Sequence, residues 1–417
     1  MVAPTRRRVA VTGLGVVSAL GHGPREFWAA LCAGRVGTGE VTLFDTTGCL
    51  THRAGQIHGW DAGTLTRSES FALAAADQAL RQGGLLDAAG QPRPAYPPER
   101  VGVAVGLVMG NRPGVEPWVR ARHTTAGATP PGTSLPSHPS PPPGTPVTAH
   151  RPDRVSLGVA RRYGLAGPHL VVPTACAAGN SALAQAADAI VAGRADAMLA
   201  GGADELSEAM FLMFTSFRAL APDTVQPFGA GRRGLMLGEG AALLLLEDER
   251  RARARGARPL ALLAGHGGYS DAHHMTAPHP EGRGAVRSMR AALGRAGLGP
   301  ADVDLVSAHG TGTPANDAVE ARALREVFGT HTDALPVTAV KAMLGHAQGA
   351  AGAIGAVCCV LAIQHGTVPP IPTVRQPDPG CALDLVLGGP RHTRVRAAVN
   401  NAFGFGGNNC CTVLTAP

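Results

Sequence analysis

Short runs rich in aliphatic and β-branched residues alternate with alanine-rich runs of helical length along most of the 417-residue chain. Strand runs that are apolar on both faces must be covered by helices on both sides, so the alternation predicts an α/β fold with buried sheets. The expected strands are residues 8–13, 101–105, 170–173, 197–201, 241–246, 260–265, 305–308, 337–340, 397–400 and 410–414. The expected helices are residues 68–81, 177–192, 284–296, 315–327 and 349–364.

The strands fall into two series, which indicates an internal repeat. Residues 174–193 (TACAAGNSALAQAADAIVAG) read as a strand end, a turn of small residues with Cys176, and an alanine-rich helix. Residues 344–366 have the same shape, with His346 near the place of the cysteine. Two such halves related by a pseudo-two-fold axis would bring both helix N-termini to one centre, although alanine-rich helices also resemble one another by chance.

Composition excludes several functional classes. Aromatic residues make up 4% of the chain and no long Lys/Arg run occurs, so a nucleic-acid partner is not expected. The net charge of +7 fits either a plain basic surface or an acidic protein partner. The run 1–21 is broken by two glycines and reads as a first strand rather than a signal peptide, and the longest apolar stretch, 349–363, is too short to span a membrane. Eight cysteines in a chain this long indicate no disulfide framework, so we expect a cytoplasmic, reduced protein.

One segment does not fit the alternation. Residues 123–152 contain nine prolines, together with Ser, Thr and Gly. Proline denies hydrogen bonds to a sheet and favours extended backbone, so we expect a long surface loop inserted between globular parts. A plain linker and a partner-binding segment both fit this composition.

Four residues carry the candidate chemistry. Cys176 follows a strand and opens a helix, where the helix dipole and free N–H groups are expected to lower the pKa of a thiol. His309 stands at the carboxyl end of a strand in the run SAHGTGTP, where α/β folds place their sites. Lys341 and His346 lie five positions apart in KAMLGHAQGAAG. Each of these residues alone also fits a structural role, which is the commoner one for a lone histidine or lysine, and no closely spaced Cys or His pair suggests a metal site.

Together and in this order, these motifs resemble the β-ketoacyl-acyl carrier protein synthase II family and its type II polyketide ketosynthase relatives, of the thiolase superfamily. The resemblance covers nearly the whole chain apart from the proline-rich stretch. The opening RVAVTGLGVVSALG and the run LGEG at 237–240 match as well. The matching motifs are Thr174-Ala-Cys176, His309-Gly-Thr-Gly-Thr-Pro314, Lys341-Ala-Met-Leu-Gly-His346 and Phe403-Gly-Phe-Gly-Gly407.

The resemblance implies the thiolase fold, with two duplicated βαβαβαββ halves in an α-β-α-β-α five-layer sandwich. Residues 1–250 would form the half with the nucleophilic cysteine and the proline-rich loop 123–152, and residues 251–417 the half with the histidines. Cys176, His309, His346 and Lys341 would be catalytic, with Lys341 paired to Glu320. Phe405 would act as a gate and share an oxyanion hole with Cys176. Substrate would be held by Thr311, Thr313, Met109, Phe214 and Phe403.

The implied reaction is a decarboxylative Claisen condensation of a Cys176-bound acyl group with malonyl-acyl carrier protein. It requires neither a metal nor an organic cofactor, because the phosphopantetheine arrives on the carrier protein. The implied partners are acyl carrier protein and a second ketosynthase-like chain, in a homodimer or a heterodimer.

Single residues argue against three related classes of protein, whereas the choice of pathway stays open. A non-catalytic chain-length-factor subunit shares the fold but commonly lacks the cysteine, which is present here at position 176. A thiolase would need a second cysteine near the loop AFGFGGNN, and the chalcone-synthase branch has Asn in place of His346. Primary fatty-acid synthesis and a specialised polyketide pathway both fit, although the proline-rich segment and Gly229, where relatives carry an acidic residue, favour the second.

Overall fold

The computed structural model describes residues 7–87, 89–108, 110, 116 and 151–417. Met109 and nearly all of the proline-rich segment lie outside this part of the chain. The helices are α1 (Pro24–Cys32), α2 (Arg67–Gln82), α3 (Arg154–Tyr163), α4 (Ala178–Val191), α5 (Glu208–Ser216), α6 (Glu249–Ala254), α7 (Arg283–Ala296), α8 (Pro314–Phe328), α9 (Lys341–Leu344) and α10 (Ala351–His365).

The strands include all ten that the sequence predicts and four short ones that it does not. They are β1 (Val9–Ser18), β2 (Gly39–Glu40), β3 (Arg53–Ala54), β4 (Val101–Gly106), β5 (His169–Val172), β6 (Ala197–Asp204), β7 (Gly240–Asp248), β8 (Ala261–Ser270), β9 (Leu305–Ser307), β10 (Val337–Thr338), β11 (Thr367–Val368), β12 (Arg391–His392), β13 (Ala397–Gly404) and β14 (Asn408–Thr415).

Ten strands form one hydrogen-bonded series that is symmetric about its centre. The order is β10-β9-β13-β14-β8-β1-β7-β6-β4-β5. Counted outward from the centre, each half has its first, fifth, fourth, second and third strand in that order. Along the chain, the main elements of both halves follow the order βαβαβαββ. Strands β1 and β8 join the two half-sheets by pairing Ala10 with Leu262 and Val11 with Ala261. The duplication predicted from the sequence is therefore confirmed.

Helices cover both faces of each half-sheet. Helices α2 and α3 pack on the outer face of the first half, and α7 packs on that of the second, with α8 against α7. Helices α4 and α10 lie between the halves and touch strands of both. Residues Ala351–Ala362 of α10 are all buried, which explains why this helix is apolar on every side. The stretch Gln348–His365 is apolar and long enough to cross a membrane, but 83% of it is buried within the protein, as in a core helix.

The N-termini of α4 and α10 pack directly against each other at the centre of the molecule. A Cβ atom at Gly179 would lie 2.7 Å from the Ala353 nitrogen, and one at Gly352 would lie 2.9 Å from the Asn180 nitrogen, so only glycine permits this approach. Each helix is preceded by a 3₁₀ turn, Ala175–Ala177 or Gln348–Ala350.

The two 3₁₀ turns correspond residue by residue, since each begins with a non-glycine residue at a φ of 50°. The counterpart of Cys176 in the second half is therefore Gly349. His346, which was expected near the place of the cysteine, lies three residues before that position. His346 instead precedes the turn, which lets its side chain approach Cys176 from the other half.

Candidate active site

Cys176 lies in the 3₁₀ turn between β5 and α4 and is partly exposed to a cavity of about 200 Å³. His309 and His346, predicted to act with it, line the same cavity. The structure thus brings together the end of β9, the turn before α10 and the start of α4. The other predicted residues that line this cavity are Thr311, Thr313, Phe214, Phe403 and Phe405.

Burial raises the pKa of the Cys176 thiol to about 11, whereas the charge of Lys341 and the backbone N–H groups of Phe405 and Cys176 lower it. The sequence predicted a lowered pKa from the helix N-terminus, and that prediction is wrong for the free protein. Loss of solvation outweighs the favourable dipole and N–H groups, because the sulfur sits where little water reaches it. At neutral pH the resting nucleophile is a thiol.

Two backbone N–H groups converge beside the sulfur. Strand β13 ends at Gly404, and the tight turn that follows aims the Phe405 N–H at the Cys176 sulfur. The turn can lie this close because residue 404 is glycine: a Cβ atom there would lie 3.0 Å from the Cys176 nitrogen. A pair of N–H donors next to a nucleophile is the arrangement that binds the oxyanion of an acyl-transfer intermediate.

His346 is held in one tautomer. Its Nδ1 accepts a hydrogen bond from the Gln348 N–H at 3.1 Å, so the ring proton resides on Nε2. Nε2 is enclosed and has no hydrogen-bond partner within the described residues. Burial, followed by the charge of Lys341, holds the pKa of His346 well below its usual value. The side chain is a neutral N–H donor at the wall of the cavity.

His309 lies beside His346, with ring centroids 5.5 Å apart and the planes at 82°. Lys341 Nζ donates to the His309 carbonyl oxygen at 2.7 Å and lies 3.4 Å from the ring atom Nδ1. The pKa of His309 is held well below its usual value by burial first, then by the charge of Lys341 and by His346. Both imidazoles are therefore neutral at physiological pH.

Glu320 supports this loop, but not by the contact that the sequence predicted. Its carboxylate accepts hydrogen bonds from the N–H groups of His309 and Gly310, each at 2.8 Å, and from the Asn401 amide at 3.2 Å. No direct ion pair joins Glu320 to Lys341 in the described chain. The two act through space: burial lowers the pKa of Lys341, and the negative charge of Glu320 raises it.

Aromatic rings form one wall of the cavity. Phe214 of α5 stacks on Phe405 with ring centroids 5.5 Å apart, and Phe403 lies 5.6 Å from His309. Phe217, which the sequence analysis did not single out, contacts the rings of both Phe214 and Phe405 and is 47% exposed. Its spacing of three residues from Phe214 could have revealed it, since such residues share a helix face.

The predicted substrate-binding threonines lie in the loop between β9 and α8. Thr311 and Thr313 bring their hydroxyl oxygens to 2.9 Å from each other. Asp317 fixes the loop by accepting a hydrogen bond from the Gly312 N–H at 3.2 Å. Met109, the remaining predicted substrate contact, lies outside the described residues.

Comparisons with known proteins decide the family. Residues 6–252 match the family model described as "Beta-ketoacyl synthase, N-terminal domain", and residues 260–375 match "Beta-ketoacyl synthase, C-terminal domain". The chain belongs to the beta-ketoacyl synthase family. The resemblance predicted from the motifs and the thiolase fold are thereby confirmed, as is the class of condensing acyltransferase.

Several known proteins are similar to this chain. It is 36% identical to 3-oxoacyl-[acyl-carrier-protein] synthase 2 of Coxiella burnetii, covering 98% of this chain and 99% of the relative. It is 39% identical to Nodulation protein E of Rhizobium meliloti, covering 97% and 98%. Among solved structures, "The ishigamide ketosynthase/chain length factor" matches with a TM-score of 0.88 and 36% identity over 99% of this chain and 100% of that one. A beta-ketoacyl synthase from Burkholderia phymatum STM815 matches with a TM-score of 0.87 and 31% identity over 99% and 100%.

Proposed function

We propose that this chain is a ketosynthase that forms a carbon–carbon bond between an acyl group on Cys176 and malonyl-acyl carrier protein. Residues 1–250 would supply the nucleophile and residues 251–417 the two imidazoles. One observation carries the proposal: a single cavity holds a thiol, two backbone N–H groups beside it and two neutral histidines.

The first step loads the acyl group. The Cys176 sulfur attacks the carbonyl carbon of an acyl thioester, and the N–H groups of Cys176 and Phe405 bind the oxyanion that forms. The bond from that carbon to the pantetheine sulfur then breaks, and the proton of the Cys176 thiol ends on the departing sulfur. The positive charge of Lys341 favours the sulfur anion as the proton leaves, since this charge lowers the thiol pKa.

The second step uses the imidazoles. When the malonyl thioester loses CO₂, the electrons of the broken carbon–carbon bond form an enolate. The Nε2–H of His346 is free to donate to the enolate oxygen, and His309 lies beside it. The enolate carbon attacks the acyl carbonyl, and the bond to the Cys176 sulfur breaks. A neutral donor suits this step because, unlike an imidazolium, it would not readily pass its proton to the enolate carbon.

The proposed reaction implies two kinds of protein partner, a carrier of the acyl group and a second ketosynthase-like chain. Thr311 and Thr313 line the cavity and offer hydroxyl groups to a pantetheine arm, which supports acyl carrier protein as the carrier. One structural relative is titled "type II PKS acyl-carrier protein in complex with its ketosynthase bound to the hexaketide", at 30% identity and a TM-score of 0.89. We propose a dimer, either with itself or with a chain-length-factor-like chain, acting in the cytoplasm without a metal or organic cofactor. Fatty-acid and type II polyketide synthesis both remain within the proposal.

The test separates loading from condensation. Cys176→Ala should abolish both the acyl adduct seen by intact mass spectrometry and the elongated product. His309→Ala and His346→Ala should retain the adduct but lose release of CO₂ from malonyl-carrier protein. Cys32→Ala is the matched control, because Cys32 is also partly exposed but lies outside the cavity. Elongation by Cys176→Ala would overturn the proposal.

A further inference from the structure

Helix α5 builds the aromatic wall of the cavity, and among the described residues one of its sides is buried and the other exposed. Met210, Phe211 and Phe214 are buried beneath it. On its other side, Leu212 is 49% exposed and Met213 is 36% exposed. Because packing holds a single face, the position of the helix depends on how its ends are fixed.

A carboxylate from a distant part of the chain fixes the N-terminal end. Glu116 accepts hydrogen bonds from the N–H groups of Glu208 and Ala209, each at 3.2 Å, and from the Ser207 hydroxyl. The first N–H groups of a helix have no partner within the helix, and a negative charge is favoured at that end. Ser207 completes the cap by accepting from the Met210 N–H at 3.3 Å.

The cap is linked to the cavity along the helix itself. Phe214 lies seven residues beyond Ser207, a rise of roughly 10 Å along an α-helix. A tilt or shift at the capped end is therefore carried to the Phe214 ring and to Phe405, which stacks on it. Phe217, at the other end of the helix, contacts both rings.

We propose that Glu116 is a positioning residue: by anchoring α5 it sets the place of the aromatic wall and thereby the length of acyl chain that the synthase accepts. The proposal rests on the ketosynthase function proposed above. It assigns to Glu116 no contact with the reacting atoms. It predicts that loss of the anchor alters discrimination among acyl groups rather than the chemistry at Cys176.

The test compares Glu116→Ala and Glu116→Gln with wild type on short-chain and long-chain acyl-carrier proteins. The ratio of kcat/KM for the two chain lengths should change about tenfold in Glu116→Ala, the size of effect that loss of a helix cap has on an equilibrium. Glu116→Gln keeps one acceptor oxygen and should change the ratio in the same direction by less. Glu208→Gln is the control, since it removes a charge at the same helix end and keeps the Glu116 bonds.

If Glu116 had a purely structural role, its loss would lower kcat/KM for both chain lengths by the same factor and leave their ratio unchanged. That result would overturn the proposal. If Glu116→Ala does not fold, the ratio measured for Glu116→Gln decides. The two proposals fail differently. If wild type forms no acyl adduct on Cys176, the ketosynthase function is refuted. If wild type elongates acyl chains and the Glu116 variants keep its selectivity, only the role of Glu116 is refuted.

Discussion

The contact between Gly404 and Cys176 allows the oxyanion hole to be blocked by one methyl group. Gly404 has extended backbone angles, φ −131° and ψ 157°, which alanine adopts without strain. Its Cβ atom would lie 3.0 Å from the Cys176 nitrogen and 3.2 Å from the Ala177 nitrogen. A methyl group this close to the Cys176 nitrogen forces the turn to shift or obstructs the N–H group, and either change takes that donor away from an oxyanion about 2.7–3.1 Å from it.

Gly404→Ala should therefore slow acyl transfer to Cys176 by about 10²–10³-fold, the usual cost of losing one oxyanion-hole donor, or ~3 kcal/mol. The assay is single-turnover acylation followed by intact mass spectrometry. Alkylation of Cys176 by iodoacetamide supplies the internal reference. That reaction displaces iodide without forming an oxyanion, so its rate should change far less.

Gly294→Ala is the matched control, because a Cβ atom at this exposed position in α7 would meet no atom within 4 Å. It should acylate like wild type. Acylation by Gly404→Ala at close to the wild-type rate would refute the reasoning. An equal loss of acylation and alkylation would refute it too, because it would indicate general damage to the site.

Two further predictions concern charge. Lys341→Met removes a charge that lowers the pKa of both His309 and His346. Both values should rise, so more imidazolium forms in acid and the acidic limb of the pH–rate profile for malonyl decarboxylation should move to higher pH; an unchanged limb contradicts this. Glu205→Gln removes a carboxyl whose pKa burial raises from 4.5 to about 7. The folded state binds this proton more tightly than the unfolded chain, so the contribution of Glu205 to stability is full in acid and is lost as pH rises to about 7. In denaturant unfolding, the free energy of unfolding of Glu205→Gln should rise relative to that of wild type between about pH 5 and pH 8, by up to ~3 kcal/mol. A difference in unfolding free energy that does not change with pH contradicts this.

The sequence predicted the site because its residues stand at strand ends and helix starts. His309 follows β9, and Cys176 precedes α4, positions that the α/β pattern brings to one edge of each sheet. The duplicated alternation was enough to predict that the two halves meet. Strand bounds were less accurate: β13 runs on to Gly404, four residues beyond the prediction, because the following turn needs only Phe405–Gly407.

The sequence could not predict pKa values and side-chain contacts that depend on the whole fold. The pKa of Cys176 reflects desolvation against nearby charge, and desolvation depends on every layer around the sulfur. The Glu320 carboxylate accepts a hydrogen bond from the His309 backbone N–H and makes none with Lys341, because the geometry of the loop points the N–H at the carboxylate. Phe214 was expected from the resemblance, but helix α5 itself and Phe217 were not predicted, since the helix is mostly apolar and lacks the periodic pattern of a surface helix.

The most direct test of the central claim is to find the acyl group after single-turnover loading from an acyl-carrier protein. Proteolysis and mass spectrometry would locate the thioester among the eight cysteines of the chain. We expect the acyl group on the peptide that contains Cys176 and on no other. An acyl group on any other cysteine, or none on Cys176 while elongated product forms, would contradict it.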